Sequence, residues 1–411
     1  MNNLLKLVPI LILVSCSGQK EKSASNEQGS ISQAIVYHQE GRFAGWPANN
    51  GAWIFDDDEI LVGFTEAPYV LIEGHNIGHP QKSWLARSKD GGETWEAWDP
   101  ENYVGDFGEM PELKILKDPV NFKENKFALR VVGTAYHGAE DPRAHFFFSD
   151  DAGLTWNGPF GFGNLQNHEE LTGYWEDVEL TPRTDYLVTG PKECIVFMSA
   201  RPSGQFGEDR LFCVKTSDGG LTFEFLSWIV RPFKEEETDL VEKVQLYEDQ
   251  DKNPWATECR AVMSESFIME NGDILTVMRR KYKAEGMETK NWVDAYLSKD
   301  GGKSWAYQSK VGDAGEGNGN PPSLARTTDG RFCAVFGERK NGTIRTAFSS
   351  DNGQSWGESQ LLYDNYWSED MEYNDLGYPR VLRRSDSKMV AIFYYSTREA
   401  VGQIHSTIWN P

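Results

Sequence analysis

Ser88-Lys-Asp90-Gly-Gly92-Glu-Thr94-Trp95 is an octapeptide that the chain repeats four more times with small changes. The copies are Ser149-Asp-Asp151-Ala-Gly153-Leu-Thr155-Trp156, Thr216-Ser-Asp218-Gly-Gly220-Leu-Thr222-Phe223, Ser298-Lys-Asp300-Gly-Gly302-Lys-Ser304-Trp305 and Ser349-Ser-Asp351-Asn-Gly353-Gln-Ser355-Trp356. Each reads as a hairpin turn. The Asp accepts from nearby backbone N–H groups, the central Gly takes a positive φ, the hydroxyl residues close the loop and the aromatic ring packs beneath it. The copies recur at intervals of roughly 50 to 80 residues, which points to a repeated sheet module such as a propeller blade.

Working outward from each octapeptide, β-rich runs precede it, as in Ser323-Leu-Ala-Arg, Phe332-Cys-Ala-Val-Phe and Ile344-Arg-Thr-Ala-Phe348 before the last copy. The same order starts from Ala52, Leu113, Val178 and Ser266. A further set begins at Tyr378 and stops one strand short at Trp409. Ile31-Ser-Gln-Ala-Ile-Val-Tyr37 can supply the missing outer strand, close the ring and hide both sheet edges. The fold class expected is all-β, a six-bladed β-propeller with an N-terminal strand closing the last blade, over residues 31–411.

The octapeptide resembles the Asp box of the sialidase (neuraminidase) superfamily of β-propellers. In that family the box marks the outer rim between the third and fourth strands of a blade, not the active site. The resemblance implies a pocket on the axis, at the mouth formed by the innermost strands and the loops entering them. It also implies a tyrosine nucleophile activated by Glu, an Asp acid/base and three arginines that clamp the substrate carboxylate. Tyr378, in Asp375-Leu-Gly-Tyr378-Pro-Arg380, opens the last inner strand and matches the nucleophile. Arg279 and Arg339 match the second and third arginines, and either Glu265 or Glu258 stands for the Glu. Arg42 stands several residues early for the first arginine, in Gly41-Arg42-Phe-Ala-Gly-Trp46-Pro47-Ala-Asn49-Asn50. Where the family has its acid/base Asp this chain has Glu73-Gly-His75-Asn76-Ile-Gly-His79, with no Asp. His75 is therefore a candidate for proton transfer, with a sugar-binding or structural role as the alternative. Trp46, Asn50, His79 and Arg380, in the loops that enter inner strands, are further candidates for substrate binding. The two histidines lack a third obvious ligand, so neither metal nor cofactor is expected.

The first segment reads as a sorting signal. Lys6, the apolar run Leu7 to Val14 and Leu13-Val-Ser-Cys16 resemble a bacterial lipoprotein signal, residues 1–15, with Cys16 lipidated. An ordinary secretory signal cut elsewhere is the alternative. Residues 16–30 are polar and read as a flexible tether, which implies a membrane attachment made only through the lipid anchor, on the outer membrane, side undetermined. A net charge of −22 excludes nucleic acid as a partner, because phosphate binding needs a basic face. The 14 Trp suit stacked sheets and sugar pockets. Cys194, Cys213, Cys259 and Cys333 match no zinc spacing; buried thiols are expected, with one or two disulfides the alternative.

These readings converge on a monomeric exo-acting glycoside hydrolase that takes a terminal acidic sugar, sialic acid most specifically, from an acidic or decorated glycan. Two alternatives stay open. One is a glycosidase or polysaccharide lyase on uronic-acid glycans using His and Tyr. The other is a non-catalytic surface glycan-binding lipoprotein.

Overall fold

The computed structural model describes residues 31–72, 74–103, 112–133, 141–205, 209–232, 260–282, 288–368 and 374–411. Residues 1–30, with the sorting signal, Cys16 and the tether, lie outside it, as do Glu258 and Cys259.

Strand β1 (Ser32–Tyr37) is followed by β2 (Arg42–Gly45), the one-turn helix α1 (Pro47–Asn50), β3 (Ala52–Ile54), β4 (Ile60–Pro68), β5 (Lys82–Ser88) and β6 (Glu96–Trp98). The chain continues with β7 (Ala128–Gly133), β8 (Ala144–Ser149) and β9 (Asn157–Gly161). Next come β10 (Val178–Leu180), β11 (Tyr186–Val188), β12 (Cys194–Pro202), β13 (Arg210–Thr216) and β14 (Glu224–Trp228). The last three sets are β15 (Arg260–Ile268), β16 (Ile274–Tyr282), β17 (Lys290–Ser298) and β18 (Ala306–Glu316); β19 (Pro322–Arg326), β20 (Phe332–Glu338), β21 (Thr343–Ser349) and β22 (Gln360–Tyr363); and β23 (Gly377–Arg383), β24 (Met389–Tyr395) and β25 (Gln403–Trp409). They form six antiparallel sheets, the blades of a six-bladed β-propeller.

Closure follows from pairing and from packing. β1 adds to β25 as the outer strand of the sixth blade, with Ser32 opposite Ile408 and Ala34 opposite Ser406, so the first strand of the fold covers the edge left by the last. Apolar side chains fill each interface between neighbouring blades. Phe43, Phe64, Val390 and Ile408 join the first blade to the sixth, and Trp53, Leu61, Val132 and Trp156 join it to the second. Phe146, Leu180 and Phe212 fill the next interface, Phe197, Cys213, Ile274 and Tyr296 the one after. Val277, Phe332 and Phe336, then Cys333, Met389 and Phe393, complete the circle.

All five octapeptides sit in the turn before the outermost strand of their blades, between the third and fourth strands in four blades and between β8 and β9 in the second, and repeat one hydrogen-bond pattern. In the first, Ser88 Oγ donates to Asp90 Oδ1 at 2.8 Å and accepts from Gly92 N–H at 2.7 Å. Thr94 donates its N–H to Asp90 Oδ1 at 2.9 Å and its hydroxyl to Oδ2 at 2.5 Å. The copy at Ser349 is the same, with Ser355 N–H 2.9 Å from Asp351 Oδ1. The glycine that follows is required twice over. Gly353 has φ +81°, and a Cβ there would stand 2.8 Å from Leu275 Cδ1 of the preceding blade. The turns thus build rim contacts between blades and leave their carboxylates fully occupied.

The second blade departs from the sequence reading. Its described strands are β7, β8 and β9, and the segment at Leu113 is not an inner strand. Lys114 instead pairs in parallel with Phe160, beyond β9 at the outer edge, its N–H donating to Pro159 O at 2.8 Å. Cys194, Cys213 and Cys333 are buried free thiols, and burial pushes Cys213 and Cys333 up to about 12.

Candidate active site

Three inner strands are interrupted by a bulky residue in the left-handed region. Trp46 (φ 62°) breaks the inner strand of the first blade between β2 and β3, Met263 (φ 58°) bulges β15, and Tyr378 (φ 50°) bulges β23. Each such residue costs on the order of 1–3 kcal/mol and persists only where its surroundings hold it. Here the three side chains share one buried apolar cluster, so strain in three blades is concentrated at one place.

Tyr378 is the centre of that place. Its N–H donates to Asn320 Oδ1 at 3.0 Å, across from the fifth blade. Its ring centroid lies 6.3 Å from His75, 6.5 Å from Trp46 and 5.9 Å from Tyr394, and the Arg339 guanidinium carbon stands 5.8 Å from it. His75 reaches it from the loop between β4 and β5, held edge-on to Trp46 at 5.0 Å. His75 Nδ1 is 2.8 Å from Asp375 Oδ1. Asp375, two residues before β23, also accepts from Asn76 N–H at 3.1 Å, from Tyr394 OH and from Arg339 Nη2 at 3.4 Å. Burial alone would push this carboxyl up, but His75, Arg339 and Tyr394 together hold it below the usual carboxylate range.

Arg339 spans the fifth and sixth blades. Its Nε donates to Leu376 O at 3.1 Å, Nη1 to Asn318 O at 3.1 Å and Nη2 to Tyr394 OH at 2.6 Å. Arg279, on β16, donates to Asn318 Oδ1 at 2.9 Å, so one asparagine links the two arginines expected to share a substrate anion. Asn50 serves the same region by holding the chain. Its Nδ2 donates to Trp46 O at 3.1 Å, and its Oδ1 accepts from Arg130 Nη2 at 2.7 Å.

Other residues expected at the mouth have different surroundings. Arg42 forms a bidentate pair with Glu66, which also accepts from Tyr37 OH, where β1 meets the first blade. Arg380, on β23, pairs with Glu265 of β15 and donates to Ala48 O at 2.7 Å and to Thr184 O. It therefore ties four blades across the axis. Burial pushes its guanidinium down to about 10, leaving it a cation at neutral pH. Nearby Asp185 is fully buried and pushed upward by that burial, against hydrogen bonds from Ser264 and Ser266. His79 is exposed. Among the described residues no group of three His, Cys, Asp or Glu side chains is arranged to hold a metal ion. A groove on the rim, lined by Trp228, Trp305 and Glu169, shares no residue with this cluster.

Asp375 and Tyr394 were not legible as site residues. Asp375 stands in the same hexapeptide as Tyr378, yet its partner His75 is 300 residues away in the chain. Tyr394 lies opposite Gly377 in the ladder, and the bulge that follows brings Tyr378 beside it.

No protein-family model matches the sequence, and no curated protein does. Solved structures do. A protein of unknown function from Dyadobacter fermentans aligns with a TM-score of 0.62 at 15% identity, over 92% of this chain and 99% of that one. An α-L-arabinofuranosidase from Fusarium graminearum, bound to an iminosugar inhibitor, aligns with a TM-score of 0.52 at 15% identity, over 92% and 98%. A Hadza microbial sialidase aligns with a TM-score of 0.53 at 13% identity, over 91% of this chain and 66% of its own length. In fold, the chain is a sialidase-like six-bladed propeller.

Proposed function

We propose that the protein is an exo-acting glycoside hydrolase of the sialidase type, which releases a terminal acidic sugar, sialic acid in its most specific form, from a glycan. The observation that carries this reading is the meeting of Tyr378, His75, Arg339 and Arg279, drawn from the sixth, first, fifth and fourth blades. A neutral tyrosine nucleophile avoids driving one anion at a centre that bears another, and guanidinium groups suit the substrate carboxylate. A sialidase and an α-L-arabinofuranosidase share the fold, so a glycosidase on this frame is in keeping with its neighbours. Export through a lipidated Cys16 to the outer membrane belongs to the same proposal and suits an enzyme that meets glycans outside the cell.

A second reading, action on uronic-acid glycans, is favoured by the hydrogen bond between His75 and Asp375, which provides proton-transfer chemistry at the loop where the sialidase pattern has an aspartate. The two separate in one experiment. The purified protein is incubated with mixed α-linked sialosides and, in parallel, with uronic-acid oligosaccharides, and free sugar and unsaturated product are measured. Sialic acid release that disappears in Tyr378→Phe supports the first reading. Product from uronic-acid chains alone supports the second, and binding to either glycan without turnover would identify a glycan-binding protein.

A further inference from the structure

Asp375 cannot itself meet a substrate. Its side chain is 1% exposed, Oδ1 faces His75, Tyr394 and Arg339, and Oδ2 accepts from the backbone of Asn76. A carboxylate held in this way is an acceptor only, so the atom it faces on His75 must carry a hydrogen. The imidazole then has Nδ1–H directed at Asp375 and a lone pair on Nε2. The His75 side chain is 25% exposed while its partner is sealed, so the imidazole, unlike the carboxylate, is within reach of solvent. It is also fixed in orientation. Trp46 meets it at 77° and Tyr378 at 82°, both edge-on, and the Asn76 N–H bond pins the adjacent backbone to the same carboxylate.

We propose that Asp375 is a positioning residue that fixes His75 in the Nδ1–H tautomer, so that Nε2 is the proton-transfer atom of the site, beside Tyr378. The inference rests on the functional reading above for the reaction it serves. In that reaction Nε2 takes the Tyr378 hydroxyl proton as the phenol oxygen bonds the anomeric carbon, and gives it to the departing sugar oxygen as the glycosidic bond breaks. Nε2 then takes a proton from the incoming water as the water oxygen bonds the anomeric carbon and returns it to the Tyr378 oxygen as that bond breaks, while the Nδ1 proton stays on His75 and Asp375 remains a carboxylate throughout. Tyr394 and Arg339 hold the carboxylate, and Asp375 in turn fastens the first blade's loop to the sixth blade.

The test uses the full-length chain labelled with ¹⁵N-histidine. The His75 signals are assigned among the seven histidines by their loss in His75→Gln. At a pH where the ring is neutral, the wild type should show the Nδ1–H tautomer. Asp375→Asn can keep the Asn76 contact through its carbonyl oxygen but turns an NH₂ toward Nδ1, and should convert His75 to the Nε2–H tautomer. On whichever glycan is turned over, that variant should lose about 100-fold or more in kcat with KM little changed. A wild-type His75 in the Nε2–H tautomer, or an Asp375→Asn protein that keeps both the Nδ1–H tautomer and its turnover, would overturn the inference. Because the wild-type spectrum needs no substrate and only a folded His75→Gln protein for its assignment, it decides the inference even if no glycan is cleaved, an outcome that would count against the functional reading alone.

Discussion

Replacing Arg380 by Leu should be among the most damaging single changes in the channel. The guanidinium is 6% exposed and supplies hydrogen bonds to Glu265, Ala48 O and Thr184 O, one from each of three other blades. Breaking a buried ion pair by removing one partner costs about 3–5 kcal/mol, since the other charge is left uncompensated. Glu265 is 22% exposed, so water reaches it and the pair itself belongs at the low end of that range. Two carbonyl groups deprived of a donor add about 1 kcal/mol each, bringing the total to about 5 kcal/mol. The double variant Arg380→Leu/Glu265→Leu has no stranded charge and should recover part of that loss, by about 1–3 kcal/mol. Urea unfolding followed by tryptophan fluorescence reads all three proteins, with the midpoint falling in proportion to the lost stability. An Arg380→Leu protein within 1 kcal/mol of the wild type, or a double variant no more stable than the single, would refute the claim that Arg380 ties the blades together.

Three further substitutions probe other parts of the fold. Gly353→Ala forces an L residue into φ +81° and sets a methyl 2.8 Å from Leu275 Cδ1, so thermal unfolding should show a loss of about 1–3 kcal/mol at an exposed turn far from any chemistry. His405 is buried between Tyr363 and Phe393, and burial pushes its imidazole down to about 4 from an ordinary value of 6.5. The unfolded chain therefore binds the proton first, so stability is complete above about pH 6.5 and falls as pH drops toward 4, by about 2 kcal/mol at pH 5; His405→Phe should remove that portion of the acid-side loss in urea titrations. Arg42→Leu strips Glu66 of its bidentate partner and should lower stability by about 1–2 kcal/mol, discounted for the 30% exposure of Arg42, while leaving KM for an anionic glycan within about twofold.

How much was readable in advance depended on how local the cause was. The octapeptide turns carry their own hydrogen bonds within five residues, as Ser88, Asp90 and Thr94 do, so five copies announced the blades directly. The closing strand was legible because Ile31–Tyr37 was the one β-rich run left over when the last set stopped short. Leu113 misled because a β-rich run does not reveal whether it joins the inner or the outer edge of a sheet, and Lys114 joins beyond β9. At the site, Tyr378 was found through its motif, but Asp375 acquires its meaning only from His75, 300 residues distant. The surroundings of Glu265 and Arg42 are likewise set by Arg380 and Glu66, through contacts that no spacing in the sequence encodes.

The most direct test of the central claim is covalent trapping at the mouth. The protein is incubated with a fluorinated, slowly hydrolysed analogue of whichever terminal sugar it releases, digested, and the labelled peptide identified by mass spectrometry. The account predicts one glycosyl adduct per chain, carried by Tyr378 on β23 and absent from Tyr378→Phe. An adduct on Glu265 or on any other carboxylate, or steady turnover of the natural glycan by Tyr378→Phe, would contradict it.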